Sequence, residues 1–349
     1  MREKNVARAI CPPHEAPVTG HQSPGERILR CAQHDRLVAA HSVRHMFTFV
    51  LLLTILLWCA CSIRAITKSQ SMQYEAERWQ GPTEQRFCQV AVWLNGGELN
   101  AAQAAGLEAE MKRSFPEQEA EAPIVTAYGT WETGSAAYGR RKTTTELWRV
   151  SEGFFLLHSV SMASGGTGSF ARNGDEAVLN EAAAFALFGS FDCVGECIRI
   201  GPLGWRVIAV VREPAGSLNK AAFAGTPRIW LPIRESSDLS FYEAILPEYY
   251  DGFAAQTLER TIGAAATSST GRFRLPQLWR EAKLFFQIPP SGQPDLPPWE
   301  QAARLAQRRL CLLWSLLVLA LLSSVLRLLL PAKSGRRLSR PHKKTRPPE

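Results

Sequence analysis

The sequence predicts an α+β protein: a two-lobed extracytoplasmic domain flanked by two transmembrane helices. Two observations support this prediction. An apolar run lies near each end of the 349-residue chain, and between the runs strand-like alternation is followed repeatedly by helix-like periodicity. We expect the two ends of this middle region to pair into one βαβ-type lobe. A helix and a β-hairpin are expected to be inserted into it as a second lobe.

Both apolar runs are long enough to cross a membrane. The first extends from Met46 to Ile63 and the second from Leu310 to Leu330, with one charge, Arg327, near its far end. About 20 apolar residues span the hydrocarbon layer, and a long side chain near a helix end can reach the interface. Buried helices of a soluble protein are the alternative, but they rarely lack polar residues for so long. We therefore predict transmembrane helices at 46–66 and 309–331, the first a retained anchor in preference to a cleaved signal peptide.

The charge distribution predicts the orientation. Residues 67–308 carry 23 Lys and Arg against 27 Asp and Glu, whereas residues 332–349 form a basic tail. By the positive-inside rule this tail is cytoplasmic, and two crossings then place residues 1–45 in the cytoplasm and the central domain outside. Beside a membrane helix, such a tail is expected to contact anionic lipid and not nucleic acid. Three arginines just before the second run oppose this orientation weakly: Arg304, Arg308 and Arg309.

Residues 1–45 show neither a helical nor a strand period. They are expected to be a cytoplasmic extension or a wrongly assigned leader before a true start at Met46. His41 and His45 have the spacing of metal ligands on a helix, but no third ligand lies nearby. No metal site is therefore expected there.

Periodicity and turn residues predict the elements of the central domain, residues 67–308. Its first part, 67–86, is polar and is expected to form a stem. The predicted strands are Phe87–Leu94, Ile124–Thr133, Arg141–Val150 and Tyr242–Pro247, and Gly271–Leu275 is expected to be a last strand or the lead-in to one. The predicted helices are Glu98–Phe115, Asp251–Ile262 and Leu278–Phe286. Residues 288–298, rich in proline, are expected to form a stiff linker to the second membrane helix.

The segment Glu176–Arg212 predicts a helix followed by a β-hairpin. Asn180 is a good N-cap for the helix, and Gly189 stands where a left-handed residue commonly ends one. Strands at Ile198–Ile200 and Trp205–Val211, joined by a turn that contains glycine and proline, complete the hairpin. This is a folding unit, and it contains no catalytic constellation.

That unit resembles the MacB-like periplasmic core domain of ABC-transporter permeases of the FtsX/MacB type. The family's signature is a Val-Leu-x-Glu strand end, a helix finishing Leu-Phe-Gly, then Asp-x-Val-Gly, an alternating Ile pair and a Val-Ile-x-Val strand. The fold-signature residues that match it here are Asn180, Glu181, Leu187, Phe188, Gly189, Asp192, Gly195, Ile198, Ile200, Val207 and Val210. The resemblance extends over roughly residues 85–290 and includes Trp148–Phe155 and Arg228–Ile233.

The chain departs from the family's pattern at three places. Cys193 stands where proline is usual and Ala209 where glycine is usual, and the fold is expected to tolerate both. The permeases that it resembles have three membrane helices after the domain, whereas one is predicted here. We therefore expect a reduced set of two membrane helices, which puts the coupling to an ATPase in doubt.

Cysteines are sparse outside the predicted membrane helices. Cys193 and Cys197 could form a disulfide in an oxidising exterior, although the loop that they would close is very short. A metal site at this pair is disfavoured, because two sulfurs four residues apart lack partner ligands.

Motifs of the common catalytic classes are missing from the sequence. There is no Gly-x-x-x-x-Gly-Lys-Ser/Thr loop, no Gly-x-Ser-x-Gly elbow and no His-Glu-x-x-His pair. The glycine-rich segment 164–169 has no lysine and is expected to be a flexible loop. His158 is expected to be packed or at the surface. We predict no catalytic, cofactor-binding or metal-binding residues, no cofactor, and no enzymatic activity.

The resemblance implies a permease-like membrane subunit whose outer domain couples to a partner ABC-type ATPase or a fuller permease. The alternative is a stand-alone, membrane-anchored binding or scaffold protein outside the cytoplasm. Two helices cannot enclose a polar path through lipid, so self-association or a second membrane subunit is expected. Ser315 and Ser323/Ser324 are the small residues on the second helix that best fit such a contact, the alternative being that they simply bond their own helix backbone.

Overall fold

The computed structural model describes residues 24–329 apart from 83, 117–122, 172–173, 224 and 281–295, with side chains described between 46 and 326. The chain divides into two units. One contains residues 1–56 and 323–349, and the other contains residues 57–322. The second unit holds the central domain together with the adjoining ends of two long helices. The predictions for residues 1–23 and for the basic tail lie outside the described residues.

Helices begin and end the described chain. In order they are α1 (Pro24–Ser69), α2 (Glu75–Gln80), α3 (Ala101–Lys112), α4 (Phe154–Leu157), α5 (Glu181–Phe188), α6 (Ser217–Phe223), α7 (Phe253–Ile262), α8 (Leu275–Arg280) and α9 (Pro298–Leu329). A short 3₁₀ helix, Ser71–Gln73, follows α1. By length and composition two segments could cross a membrane, Met46–Ser69 in α1 and Pro298–Leu326 in α9. Both are mostly exposed, as lipid-facing helices are.

The strands of the described chain form one mixed sheet. They are β1 (Phe87–Trp93), β2 (Val125–Tyr138), β3 (Arg141–Val150), β4 (Met162–Gly165), β5 (Glu176–Asn180), β6 (Cys197–Ile200), β7 (Leu203–Val211), β8 (Arg228–Pro232), β9 (Phe241–Pro247) and β10 (Ala266–Ser268). Their order is β10-β1-β9-β2-β3-β8-β5-β7-β4, and β6 pairs with both β2 and β7. The pairs β3·β8 and β5·β7 are parallel, and the others are antiparallel.

The apolar core is organised around three clusters. One lies between β1, β9, α3 and α7 and includes Met111 and Leu258. A second lies where α5 covers β5, β7 and β8, and includes Leu187 and Ile229. A third, aromatic cluster brings together Trp148 and other rings from several elements. The α+β class is therefore confirmed, whereas the division into two lobes stays a prediction.

Several element boundaries differ from those predicted. The helix expected from Glu98 begins at Ala101, because the Asn100 side chain accepts a hydrogen bond from the Gln103 N–H and caps it. The strand expected to end at Thr133 continues to Tyr138, because it pairs with β3 as far as the turn at 139–140. The helix expected from Asp251 begins at Phe253.

The prediction of a last strand, or of the lead-in to one, at Gly271–Leu275 is wrong. Gly271 has φ +71°, and the Arg274 N–H donates to the Gly271 carbonyl at 2.9 Å, so this segment is a turn. The strand lies just before it, as β10. The helix expected from Leu278 begins at Leu275, and residues 281–286 lie outside the described residues.

The expected linker 288–298 is described only at its end. Residues 288–295 lie outside the described residues, and Pro298 is already the first residue of α9. Proline suits this position, since it has no N–H that would lack a helical acceptor. Helix α9 thus begins 12 residues before the apolar run at Leu310 and places polar residues beside the domain.

Candidate coupling junction between the long helices and the domain

The predicted stem is packed against the domain. After α1 ends, the Met72 carbonyl accepts a hydrogen bond from the Gln89 side chain of β1 at 3.2 Å. Glu75, which is buried, accepts hydrogen bonds from both the N–H of Ser159 (2.8 Å) and its hydroxyl (2.6 Å). The Glu75 carboxylate also pairs with Arg78. The chain that leaves α1 is therefore fixed to the sheet and to the loop after α4.

A buried ion pair joins this segment to the start of α9. Arg272 donates from Nη1 to Glu300 Oε2 at 2.6 Å and from Nη2 to Glu300 Oε1 at 2.9 Å. Its Nη1 also donates to Gln73 Oε1 at 2.8 Å, and Arg304 Nε donates to Glu300 Oε1 at 2.9 Å. Bidentate, charge-assisted bonds of this kind are among the strongest in proteins and are directional. They hold the chain after α1, the turn after β10 and the first turn of α9 together.

A second polar contact joins the end of α1 to α6. The buried Asn219 side chain donates to the carbonyls of Ser69 (2.8 Å) and Ala215 (2.7 Å) and accepts from Gln70 Nε2 at 3.2 Å. We call Gln70, Gln73, Asn219, Arg272 and Glu300 the coupling junction. Its members come from four separate chain segments.

Beside the junction, Trp299 inserts into the aromatic cluster. Its Nε1 donates to Glu243 Oε1 of β9 at 2.7 Å, and its ring lies 4.7 Å from the imidazole of His158, centroid to centroid. His158 Nε2 lies 3.2 Å from Glu243 Oε2, and the ring is fully buried. Of the packed and surface positions expected for His158, the structure shows the packed one. These contacts fix the first turn of α9 in the core of the domain.

Asn180 is the most connected of the fold-signature residues. Its Oδ1 accepts from the backbone N–H groups of Ala183 and Arg228, each at 2.9 Å. Its Nδ2 donates to Glu213 Oε1 at 3.0 Å and to the Thr226 carbonyl at 2.8 Å. The cap predicted for α5 is therefore present, and the same amide also ties α5 to β8 and to the chain after β7.

The other signature residues also build structure. Gly189 ends α5 with φ +73°, and Gly195 has φ +93°, a region that side chains disfavour. Phe188 packs on Tyr138, Glu181 accepts from the Glu213 N–H at 3.3 Å, and Asp192 is exposed. The buried members, which share one cluster, are Leu187, Ile198, Ile200, Val207 and Val210.

Cys193 and Cys197 are free thiols in the structure, Cys193 buried and Cys197 exposed. Burial, together with the nearby carboxylates of Asp192 and Glu196, raises the pKa of the Cys193 thiol to about 11. Cys193 therefore behaves as a small core residue at the position where the family usually has proline.

The described residues contain no group of three or more His, Cys, Asp or Glu side chains arranged to hold a metal ion. The glycine-rich segment 164–169, expected to be a flexible loop, begins in β4. A Cβ on Gly165 would lie 2.1 Å from the Ile208 carbonyl oxygen, so this glycine permits close strand packing.

The sequence did not indicate the coupling junction. Each of its five residues is a single polar side chain with no motif around it, and the nearest clue is that some lie close to the apolar runs. Their partners are set by the fold: Gln73 and Arg272, for example, are 199 residues apart. No local pattern could have paired them.

Comparison with known proteins identifies a family. The family described as MacB-like periplasmic core domain matches residues 65–268, which is 204 of the 349 residues. The match contains all the fold-signature residues and part of the coupling junction. No curated protein matches the chain.

Solved structures of similar domains cover about half of the chain. The extracellular domain of the noncanonic ABC-type transporter YknZ from Gram-positive bacteria is 15% identical over 52% of this chain and 99% of its own, with a TM-score of 0.36. The periplasmic region of MacB from Actinobacillus actinomycetemcomitans is 14% identical over 52% of this chain and 88% of its own, with a TM-score of 0.39. A domain described as part of a permease protein from Porphyromonas gingivalis is 12% identical over 56% of this chain and 95% of its own, with a TM-score of 0.36. At such low identities, the functional roles of residues in those proteins cannot be assigned to residues of this chain.

Proposed function

This chain belongs to the MacB-like periplasmic core domain family, and on that premise we propose that it is a non-enzymatic, permease-type subunit of an ABC-transporter-like assembly. The family is homologous to ABC-transporter permeases, and two apolar helices flank the domain. In the proposed role, a partner ATPase supplies the energy and the outer domain moves as that partner opens and closes. The function of this chain is then mechanical.

The coupling junction is the observation that best supports this role. A domain on a flexible tether could not respond to movements of its membrane helices. Here Arg272 joins the first turn of α9 to Gln73, and Asn219 holds the last turn of α1. Removing one partner of a buried, hydrogen-bonded ion pair costs about 3–5 kcal/mol. The buried, directional hydrogen bonds at the domain-side ends of both helices support the proposal that a displacement of the helices moves the domain.

We propose that both termini are cytoplasmic and that the central domain lies outside. The basic tail supports this orientation through the positive-inside rule. In a cysteine-free variant, a new cysteine at Ser236, which is exposed, should react with an impermeant maleimide in intact cells. A cysteine at Ser334 should react only after the membrane is permeabilised. The reverse labelling would contradict the proposed orientation.

The proposed partner is an ABC-type ATPase, alone or with a fuller permease. We expect such a protein to co-purify with the tagged chain from native membranes after crosslinking, and the purified sample to hydrolyse ATP. A tagged two-span membrane protein of unrelated sequence serves as the control. Recovery of the chain as a monomer without an ATPase or permease would overturn this proposal and favour the scaffold alternative.

The proposed two lobes would be the region around α3 and α7 and the region around α5, which have separate apolar clusters. Self-association through α9 is a further part of the proposal. The hydroxyl of Ser315 donates to the Cys311 carbonyl of its own helix at 2.8 Å, so it can lie at a helix contact without an unsatisfied donor.

A further inference from the structure

A groove opens beside the end of α1. Its volume is about 660 Å³, within the range of small-molecule sites. Its lining includes the last turn of α1 with Lys68 and the segment after β7 with Arg212 and Pro214. Val160, which follows α4, lines it as well. We call it the basic groove.

The basic groove lies at the level of lipid headgroups if α1 and α9 cross the membrane. Arg64 ends the first apolar run, and at 1.5 Å per residue Lys68 lies about 6 Å beyond it. The headgroup layer on each side of a bilayer is about 5–8 Å thick. On the other helix, Arg309 immediately precedes the second apolar run, and its Nη1 lies 3.5 Å from Ser217 Oγ, close in sequence to the groove wall. The positions of Lys68 on α1 and Arg309 on α9 therefore both place the groove just outside the hydrocarbon layer.

The groove is positively charged. Lys68 and Arg212 are both exposed, and within the described part of the chain neither forms an ion pair. An acidic residue, Glu213, also lines the groove, but its Oε1 accepts a hydrogen bond from Asn180 and is directed towards the sheet. Burial raises the pKa of Glu213, while Arg228 and the hydrogen bond from Asn180 act in the opposite direction. Two basic side chains therefore line the groove, and the carboxylate of Glu213 beside them is held by Asn180.

The rest of the lining is largely apolar. Met72, Val160 and Pro214 contribute hydrocarbon surface next to the two basic groups. This combination suits a ligand with a phosphate at one end and methylene groups beside it. A free inorganic anion would use the charges and would leave the apolar surface in water.

We propose that the basic groove binds an anionic phospholipid from the leaflet that faces the domain, with its phosphate between Lys68 and Arg212. The glycerol and the first methylenes pack on Met72, Val160 and Pro214. The proposal rests on α1 and α9 spanning the membrane, which is part of the proposed function. It also accounts for basic residues beside both apolar runs on the domain side, which the positive-inside rule by itself leaves unexplained.

The test uses the full chain in nanodiscs of phosphatidylcholine with and without phosphatidylglycerol, followed by native mass spectrometry of the lipids retained. We expect retention of phosphatidylglycerol over phosphatidylcholine by the unaltered chain. Each basic residue near an anionic surface contributes roughly fivefold in affinity. The Lys68→Gln/Arg212→Gln variant should therefore bind phosphatidylglycerol about 25-fold more weakly.

The matched control is Arg140→Gln/Arg199→Gln, which removes two exposed positive charges that do not line the groove. It should retain phosphatidylglycerol like the unaltered chain, and both variants should melt normally. Equal losses in the two variants, equal retention of the two lipids, or full competition by millimolar inorganic phosphate would each overturn the proposal. The measurement needs no partner ATPase. Its result is therefore independent of whether an ATPase co-purifies, while failure of the chain to insert into nanodiscs would contradict the membrane helices themselves.

Discussion

Arg272 and Glu300 are 28 residues apart in the sequence, yet their side chains form a bidentate ion pair of which only 5% and 1% remain exposed. Both guanidinium–carboxylate bonds are shorter than 3 Å. Arg272 uses the same Nη1 to reach Gln73, and Glu300 accepts from Arg304 as well. The pair therefore belongs to a hydrogen-bonded network at the point where α9 enters the domain.

Breaking this pair should destabilise the domain strongly. We expect Arg272→Met to lower the free energy of unfolding by about 3–5 kcal/mol, because it leaves the buried Glu300 carboxylate with Arg304 alone. The double variant Arg272→Met/Glu300→Leu should recover much of this loss. Urea unfolding of the purified chain in micelles, followed by tryptophan fluorescence, measures both. Arg86→Met, whose partner Asp251 is exposed, is the control and should cost at most about 1 kcal/mol. A loss for Arg272→Met no larger than that of the control would contradict the importance of the pair.

The cap at Asn180 should matter more than an ordinary cap. Asn180→Ala removes four hydrogen bonds and leaves buried groups unpaired, so a loss of about 2–4 kcal/mol is expected. Asn100→Ala removes the exposed cap of α3 and should cost about 1 kcal/mol. The same unfolding experiment compares them, and equal losses would show that the links from Asn180 to β8 add nothing.

Gly195 and Gly204 provide a matched pair for backbone strain. A Cβ at either glycine would meet no atom within 4 Å, but only Gly195 has a positive φ. Gly195→Val should therefore destabilise the domain by about 1–3 kcal/mol, whereas Gly204→Val, in β7, should be nearly neutral. Thermal unfolding of both variants decides this. Unchanged melting of Gly195→Val would mean that the turn relaxes to another conformation.

Two residues of α5 separate burial from helix propensity. Leu187 is fully buried, whereas Phe185 is 65% exposed. We expect Leu187→Ala to cost about 2–5 kcal/mol through the cavity that it leaves. Phe185→Ala, in the same helix, should cost less than about 1 kcal/mol. Similar losses would mean that α5 does not pack as described.

The two thiols beside the hairpin should differ in reactivity. In a variant that keeps only Cys193 and Cys197, maleimide at neutral pH should modify the exposed Cys197 and leave Cys193 intact. Because the pKa of Cys193 is raised to about 11, the fraction of this residue present as thiolate rises roughly tenfold per pH unit up to that value. Labelling of native and urea-unfolded protein, read by mass spectrometry, tests this. Equal labelling of both in the native state would contradict the burial of Cys193, and protection of both until reductant is added would show that the disulfide forms.

The local features of the fold could be predicted from the sequence because each depends on neighbouring residues. The lengths of the two apolar runs predicted both long helices, since the helical rise determines how many residues are needed to cross the lipid. Asn180 and Gly189 gave the limits of α5, because a cap acts within one turn. The turn at Gly271 was mistaken for a strand because Phe273 and Leu275 alternate with arginines, and alternation does not reveal the positive φ of the glycine before them.

By itself, then, the sequence determined the class of the fold, the two apolar helices, the helix–hairpin unit and the family resemblance. The tertiary structure decided which strands pair, such as β3 with the distant β8, and it folded the polar stem against the sheet. It also brought Gln73, Arg272 and Glu300 into one network and brought Lys68 and Arg212 to the lining of one groove. The physical reason is that local periodicity determines which face of an element is buried. The choice of partner depends on contacts between residues far apart in the chain, and these form only when the whole domain packs.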